Sequence, residues 1–161
     1  MRLPDDIRLF LNVHPGELSD PASLCTRLEV LQMWAPRVVL EITERSRMNP
    51  SFSWERALER VKHMGFGLAV DDLGSGYSAL SMLAELQPDF LKVDMSIVRD
   101  VDSDMHKRRL VDLLCSFAEA TDSRVVAEGV ETRGESIALE EAGVEMMQGY
   151  LFGVPETEVA F

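Results

Sequence analysis

Apolar residues recur along the chain as short, nearly unbroken runs separated by longer segments of helical spacing. The runs are Leu9-Phe10-Leu11 to Val13, Val38-Val39-Leu40, Leu68-Ala69-Val70, Phe90-Leu91-Lys92-Val93, Val125-Val126-Ala127 and the weaker Val144 to Gln148. Being apolar on consecutive positions, they predict strands covered on both faces of a sheet. Between them, helical periodicity predicts helices over Pro21 to Trp34, Ser53 to Met64, Ser78 to Leu86, Asp104 to Ala120 and Arg133 to Ala142. Gly65, Pro88 and Gly143 follow three of these segments as stops. Strand and helix alternate throughout, which predicts an α/β fold with parallel strands.

Polar residues interrupt this pattern at one recurring place. Asn12, Glu41 with Glu44, Asp71 with Asp72, Lys92 with Asp94, Glu128 with Glu131, and Gln148 all lie at or just past the C-terminal end of a predicted strand. In parallel α/β architectures those ends share one face, so the expected arrangement is a TIM-like (β/α) barrel with its active site there. A complete eight-stranded barrel takes about 250 residues. Six strands in 161 residues predict an incomplete barrel, folded as a single domain over residues 1–161.

Composition narrows the function. The chain is 46% apolar and 27% charged, as globular domains are, and 16 Lys plus Arg against 28 Asp plus Glu give a net charge of −12. That balance argues against a nucleic-acid binder, so no DNA partner is expected. It is compatible with carboxylates clustered to hold divalent cations, which invert the local charge for a phosphate ligand. Cys25 and Cys115 match no metal or redox spacing and are expected to be reduced core residues. The N-terminal residues lack the apolar run of a signal peptide, and no stretch of about 18 apolar residues could span a bilayer. A cytoplasmic chain without a membrane segment is expected.

Several residues carry candidate chemistry. Glu41-Ile42-Thr43-Glu44 offers two carboxylates, the hard oxygen ligands that Mg²⁺ or Mn²⁺ requires, or equally a helix-capping turn. Asp71-Asp72 precedes a loop with two glycines, and adjacent like charges are easiest to explain if a cation neutralises them. Lys92 lies within an apolar run and needs a partner: a structural ion pair with Asp94 or a neighbouring strand's acid, or a role orienting a nucleophilic water or balancing phosphate charge. His14, His63 and His106 show no ligand spacing, and the nine methionines are expected to fill core.

Taken in order, Asn12 in Phe10-Leu11-Asn12-Val13, Leu40-Glu41-Ile42-Thr43-Glu44, Asp71 to Leu80, Leu91-Lys92-Val93-Asp94, Ala127-Glu128-Gly129-Val130-Glu131 and Gln148-Gly149-Tyr150-Leu151-Phe152 resemble the EAL domain family, bacterial cyclic di-GMP phosphodiesterases. The resemblance covers essentially the whole chain. It implies a TIM-like barrel that binds Mg²⁺ or Mn²⁺ and hydrolyses cyclic di-GMP to linear pGpG. It further implies that Asn12, Glu41, Asp71, Asp72 and Glu128 are metal ligands and that Lys92, with Glu128, activates water. Asp94, Glu131 and Gln148 support the site. Glu44 steadies the loop containing Gly74, Ser75, Gly76 and Tyr77, which in the family couples the site to a homodimer. Sensory or diguanylate cyclase domains, fused or separate, are implied partners. The sequence departs from the family in having no Glu-Ala-Leu tripeptide at a strand end, Leu73 where Phe is usual and Ser75 where Thr is usual. The missing glutamate, a metal ligand in the family, predicts an N-terminally truncated domain, two strands short. It also leaves a catalytically inactive cyclic di-GMP receptor or interaction module as the alternative.

Overall fold

A computed structural model describes residues 7–43, 55–74 and 79–155, and all structural statements concern these. Strands and helices alternate along them, and the chain divides into two compact units, Met1–Phe90 and Leu91–Phe161.

In the first unit β1 (Leu9–Asn12) pairs in parallel with β2 (Val38–Thr43), and β2 in parallel with β3 (Gly67–Leu73). Two short helices, α1 (Pro15–Leu18) and α2 (Pro21–Leu28), precede β2, while α3 (Glu55–His63) leads to β3 and α4 (Ala79–Leu86) follows it. The Asp89 amide donates to the Leu68 carbonyl, and the Asp89 carboxylate accepts the Leu68 amide at 2.8 Å, which ties the end of this unit to β3 just before β4 (Phe90–Val93) begins. Val39, Leu40, Ile42, Leu68, Ala69 and Val70 are buried, as strands covered on both faces require.

The second unit continues β4 through α5 (Met95–Val98), α6 (Met105–Ala120), β5 (Arg124–Ala127), α7 (Arg133–Glu141) and β6 (Met146–Met147), with sheet order β4-β5-β6. β5 and β6 pair in parallel, Val126 with Met146 and Ala127 with Met147. Leu91, Val93, Val111, Ala127, Val130 and Leu139 form its core. The helices begin where the sequence supplies caps: Asp104 accepts the amides of His106 and Lys107, and Thr132 with Glu135 forms a capping box at α7.

The α/β alternation and parallel pairing match expectation, and four details do not. The segment read as one helix from Pro21 to Trp34 is α-helical only to Leu28, then a 3-10 run from Glu29 to Arg37 that contains Pro36. Its apolar positions did not predict burial, since Val30 and Met33 are exposed and Ala35 is buried. β2 and β3 run further than their apolar cores, so Glu41, Asp71 and Asp72 lie inside the C-terminal part of their strands. α1 and α5, one turn each, are too short to show periodicity. Cys25 and Cys115 are reduced but only half-buried, and Met33, Met95 and Met105 are exposed. The expected helix starts at Ser53 and Ser78 lie outside the described residues.

Candidate active site

In the first unit the parallel register decides which polar side chains share a face. Asn12 pairs with Glu41, Glu41 with Ala69, and Thr43 with Asp71. Paired residues of neighbouring strands point to the same side, and alternate residues along a strand return to it. Asn12, Glu41 and Asp71 therefore project from one face, with Asp71 two residues further along β3 than the level of Glu41. Glu41 and Asp71 are buried, at 5% and 8% exposure, while Asn12 is exposed at the end of β1.

Asp72 would point to the opposite side in a regular strand. Its backbone instead takes a left-handed φ of 59°. An oxygen of its carboxylate lies within 4.8 Å of one from Asp71. Asp is one of the few non-glycine residues that take this conformation readily. Two hard oxygen donors at this separation fit a divalent cation, whose coordination sphere spans roughly 4–5 Å from ligand to opposite ligand. Gly74, with φ 109°, turns the chain out of β3. Ser75, Gly76, Tyr77 and Glu44 lie outside the described residues.

In the second unit Lys92 finds its partner. Its Nζ lies 2.8 Å from Oε1 of Glu128, and the two side chains are 7% and 14% exposed. The Gln148 side-chain amide donates to the same Oε1 at 2.6 Å. Glu128 lies just past the end of the neighbouring strand β5. Asp94 instead accepts the Ser96 amide at 2.9 Å and caps α5. The backbone fixes the trio: the Glu128 amide donates to the Val93 carbonyl, the Gln148 amide to Ala127, and the Val130 amide back to Gln148. Gly149 permits this closeness, because a Cβ on it would fall 2.1 Å from the Val130 carbonyl oxygen.

Glu131 turns away from this cluster to Arg99, whose two terminal nitrogens donate to its two oxygens at 2.6 Å each. The Arg99 hydrogen bonds hold the Glu131 carboxyl below the usual carboxylate range, and Glu131 in turn raises the Arg99 guanidinium. Behind them Glu135 is 2% exposed. Burial pushes its carboxyl up, but amide hydrogen bonds from Glu131, Thr132 and Asp100, with the Arg99 charge, outweigh this and bring it below the ordinary value. Arg99 and Glu135 were not anticipated from the sequence. Thr132-x-x-Glu135 is a readable capping box, whereas nothing local joins Arg99 to a glutamate 32 positions away. Beside Glu131 and Gln148 opens a cavity of about 710 Å³, lined also by Met95, Met147, Tyr150 and Phe152. That volume lies within the range of small-molecule sites.

Of the histidines, His14 caps α1 by accepting the Gly16 amide, while His63 and His106 are exposed on helices.

Comparison with known proteins places the chain in a family. The family model described as "EAL domain" matches residues 1–155. The cyclic di-GMP phosphodiesterase RocR of Pseudomonas aeruginosa is 32% identical over 163 residues, covering 99% of this chain and 42% of RocR. The chain thus spans less than half the length of this relative. Among solved structures, the EAL enzyme Bd1971 with cAMP and cyclic di-GMP bound superposes with a TM-score of 0.84 at 32% identity, covering 94% of this chain and 41% of that one. Klebsiella pneumoniae BlrP1, in complex with manganese and cyclic di-GMP, gives 0.83 at 34% identity over 89% of this chain and 38% of that one. The fold class is the TIM-like (β/α) fold of these enzymes.

Proposed function

The chain belongs to the EAL domain family, and from that premise we propose that it is a single EAL-type domain that hydrolyses cyclic di-GMP to linear pGpG. The observation that carries this reading is the convergence of Lys92 and Gln148 on one oxygen of Glu128. Asn12, Glu41, Asp71, Asp72 and Glu128 are the proposed ligands of Mg²⁺ or Mn²⁺. Held there, the cations would supply Lewis acidity, lowering the pKa of water and offsetting phosphoryl charge. Lys92 and Glu128, already in direct contact at 2.8 Å, orient the attacking water from beside their ion pair and take up its proton. The water oxygen bonds to phosphorus as the P–O bond to the 3′ oxygen breaks, and the proton taken from the water passes to that oxygen, which leaves as a hydroxyl and opens the ring. Gln148 fixes the Glu128 carboxylate, and Asp94 fixes the backbone just beyond Lys92. Glu44 and the loop from Gly74 to Tyr77 couple the site to a homodimer, with cyclase or sensory domains as further partners. No helix among the described residues is long and apolar enough to cross a membrane; a cytoplasmic location is part of the same proposal.

Incubation of the full chain with cyclic di-GMP and Mg²⁺ or Mn²⁺, followed by chromatography, tests this. Wild type is expected to release pGpG, and Asp71→Asn and Lys92→Ala each to lose at least about 100-fold in rate, as loss of a group that stabilises transition-state charge does. Unchanged turnover in both variants would refute these roles. Saturable nucleotide binding with no pGpG would identify a receptor instead.

A further inference from the structure

We propose that Arg99 and Glu135 are positioning residues that hold the Glu128 carboxylate in register with Lys92 and Gln148. The inference rests on the phosphodiesterase reading for its catalytic consequence, but not for its geometry. Lys92 and Glu128 leave their strands on two separate stretches of chain. The stretch after Lys92 becomes α5, which ends in Arg99 and in Asp100, whose φ is a left-handed 59°. The stretch after Glu128 runs through Gly129, with φ 68°, to Glu131 and Thr132. Glu135 joins the far ends. One of its oxygens accepts the amides of Glu131 and Thr132 at 2.9 and 3.0 Å, and the other accepts the Asp100 amide at 3.2 Å. Arg99 joins them again through its paired hydrogen bonds to Glu131. Its own carbonyl is held by Lys107 Nζ at 2.7 Å.

The result is a closed ring of contacts: Lys92, α5, Arg99, Glu131, the loop back to Glu128, and the 2.8 Å ion pair to Lys92. Midway, Gly129 lies flat on α5, where a Cβ would come 2.7 Å from the Met95 Cβ. Opening the ring at Arg99 or Glu135 frees the loop to pivot at Gly129, its most permissive residue. The Glu128 carboxylate would then move relative to Lys92 and Gln148. Residues that orient functional side chains in this way carry 10- to 100-fold effects.

The test uses the full chain with Glu135→Gln, Arg99→Met and Arg99→Lys, and Arg108→Met as a control that breaks the unrelated Arg108–Glu141 surface pair. Gln at 135 keeps one acceptor oxygen and turns an amide donor toward backbone donors, so one side of the ring opens. Turnover of cyclic di-GMP is expected to show kcat lowered at least about 10-fold in Glu135→Gln and Arg99→Met, with KM changed less than about 3-fold, while Arg99→Lys is intermediate and Arg108→Met unchanged. The second readout needs no turnover: the Gln148 side-chain amide resonance reports the position of the Glu128 oxygen it contacts. It is expected to shift in Glu135→Gln and Arg99→Met, less in Arg99→Lys, and not in Arg108→Met. If wild type makes no pGpG, the phosphodiesterase reading fails and the Gln148 signal alone decides this inference. An unshifted signal in folded Arg99→Met and Arg99→Lys overturns it. A kcat equal to wild type in those variants, or a loss carried by KM, overturns it too.

Discussion

Lys92 and Glu128 show at single-residue scale how burial, chemistry and stability are joined. A lysine at 5% exposure inside an apolar strand is tolerable only with a close, hydrogen-bonded counter-charge. Glu128 supplies it, with Gln148 sharing the load on the same oxygen. Removing one member of such a pair strands the other, so Lys92→Met is expected to destabilise the protein by about 3 kcal/mol in urea titration. Adding Glu128→Gln to that variant removes the stranded charge and is expected to recover at least half of the loss. Full additivity of the two changes would show that the pair is not coupled. Asp94 is the counter-example: it is the acid nearest Lys92 in sequence and one of the two kinds of partner expected for it, yet its oxygen accepts the Ser96 amide.

At the scale of elements, the tight points are where a strand gives way to a loop. Gly149 brings β6's exit against the Val130 backbone, so Gly149→Ala forces the two segments apart. A loss of about 3 kcal/mol and a shifted Gln148 side-chain resonance are the expected results. Helix starts depend instead on charge. Glu135 at α7, whose carboxyl lies below its ordinary value despite burial, is matched at α6 by Asp104, lowered by the amides of His106 and Lys107. A group depressed in the folded chain stabilises fully above its unfolded value, about 4.3 for Glu, and loses that contribution as pH falls through the folded value. The urea midpoint is therefore expected to stay flat from pH 7 to about pH 5 and to fall below about pH 4.3, less steeply in Glu135→Gln. An equally steep fall in that variant would remove Glu135 from the acid limb.

For the whole molecule, a net charge of −12 includes buried Glu41 and Asp71 in the first unit, an arrangement that cations relieve. Mn²⁺ or Mg²⁺ is expected to raise Tm beyond what Na⁺ does at equal ionic strength, by a margin equivalent to about 2.7 kcal/mol at a hundredfold excess over Kd, and Asp71→Asn to abolish the difference. Equal effects of the two kinds of salt would mean general screening rather than a site. Much of this was legible in the residues alone. Consecutive apolar runs specify buried parallel strands, because a strand covered on both faces has no polar side, and Glu41, Asp71, Lys92, Glu128 and Gln148 stand out in the sequence as polar residues at their ends. The sequence also determined the caps at Asp104 and Thr132, whose partners lie within three residues. What only the tertiary structure decided depends on chain segments far apart in sequence. It chose Glu128 over Asp94 for Lys92, brought the Asp72 carboxylate toward Asp71 through a left-handed backbone, and set Arg99 and Glu135 behind the loop. Such choices rest on hydrogen bonds and close packing between distant segments, and local periodicity carries no record of which segments will meet.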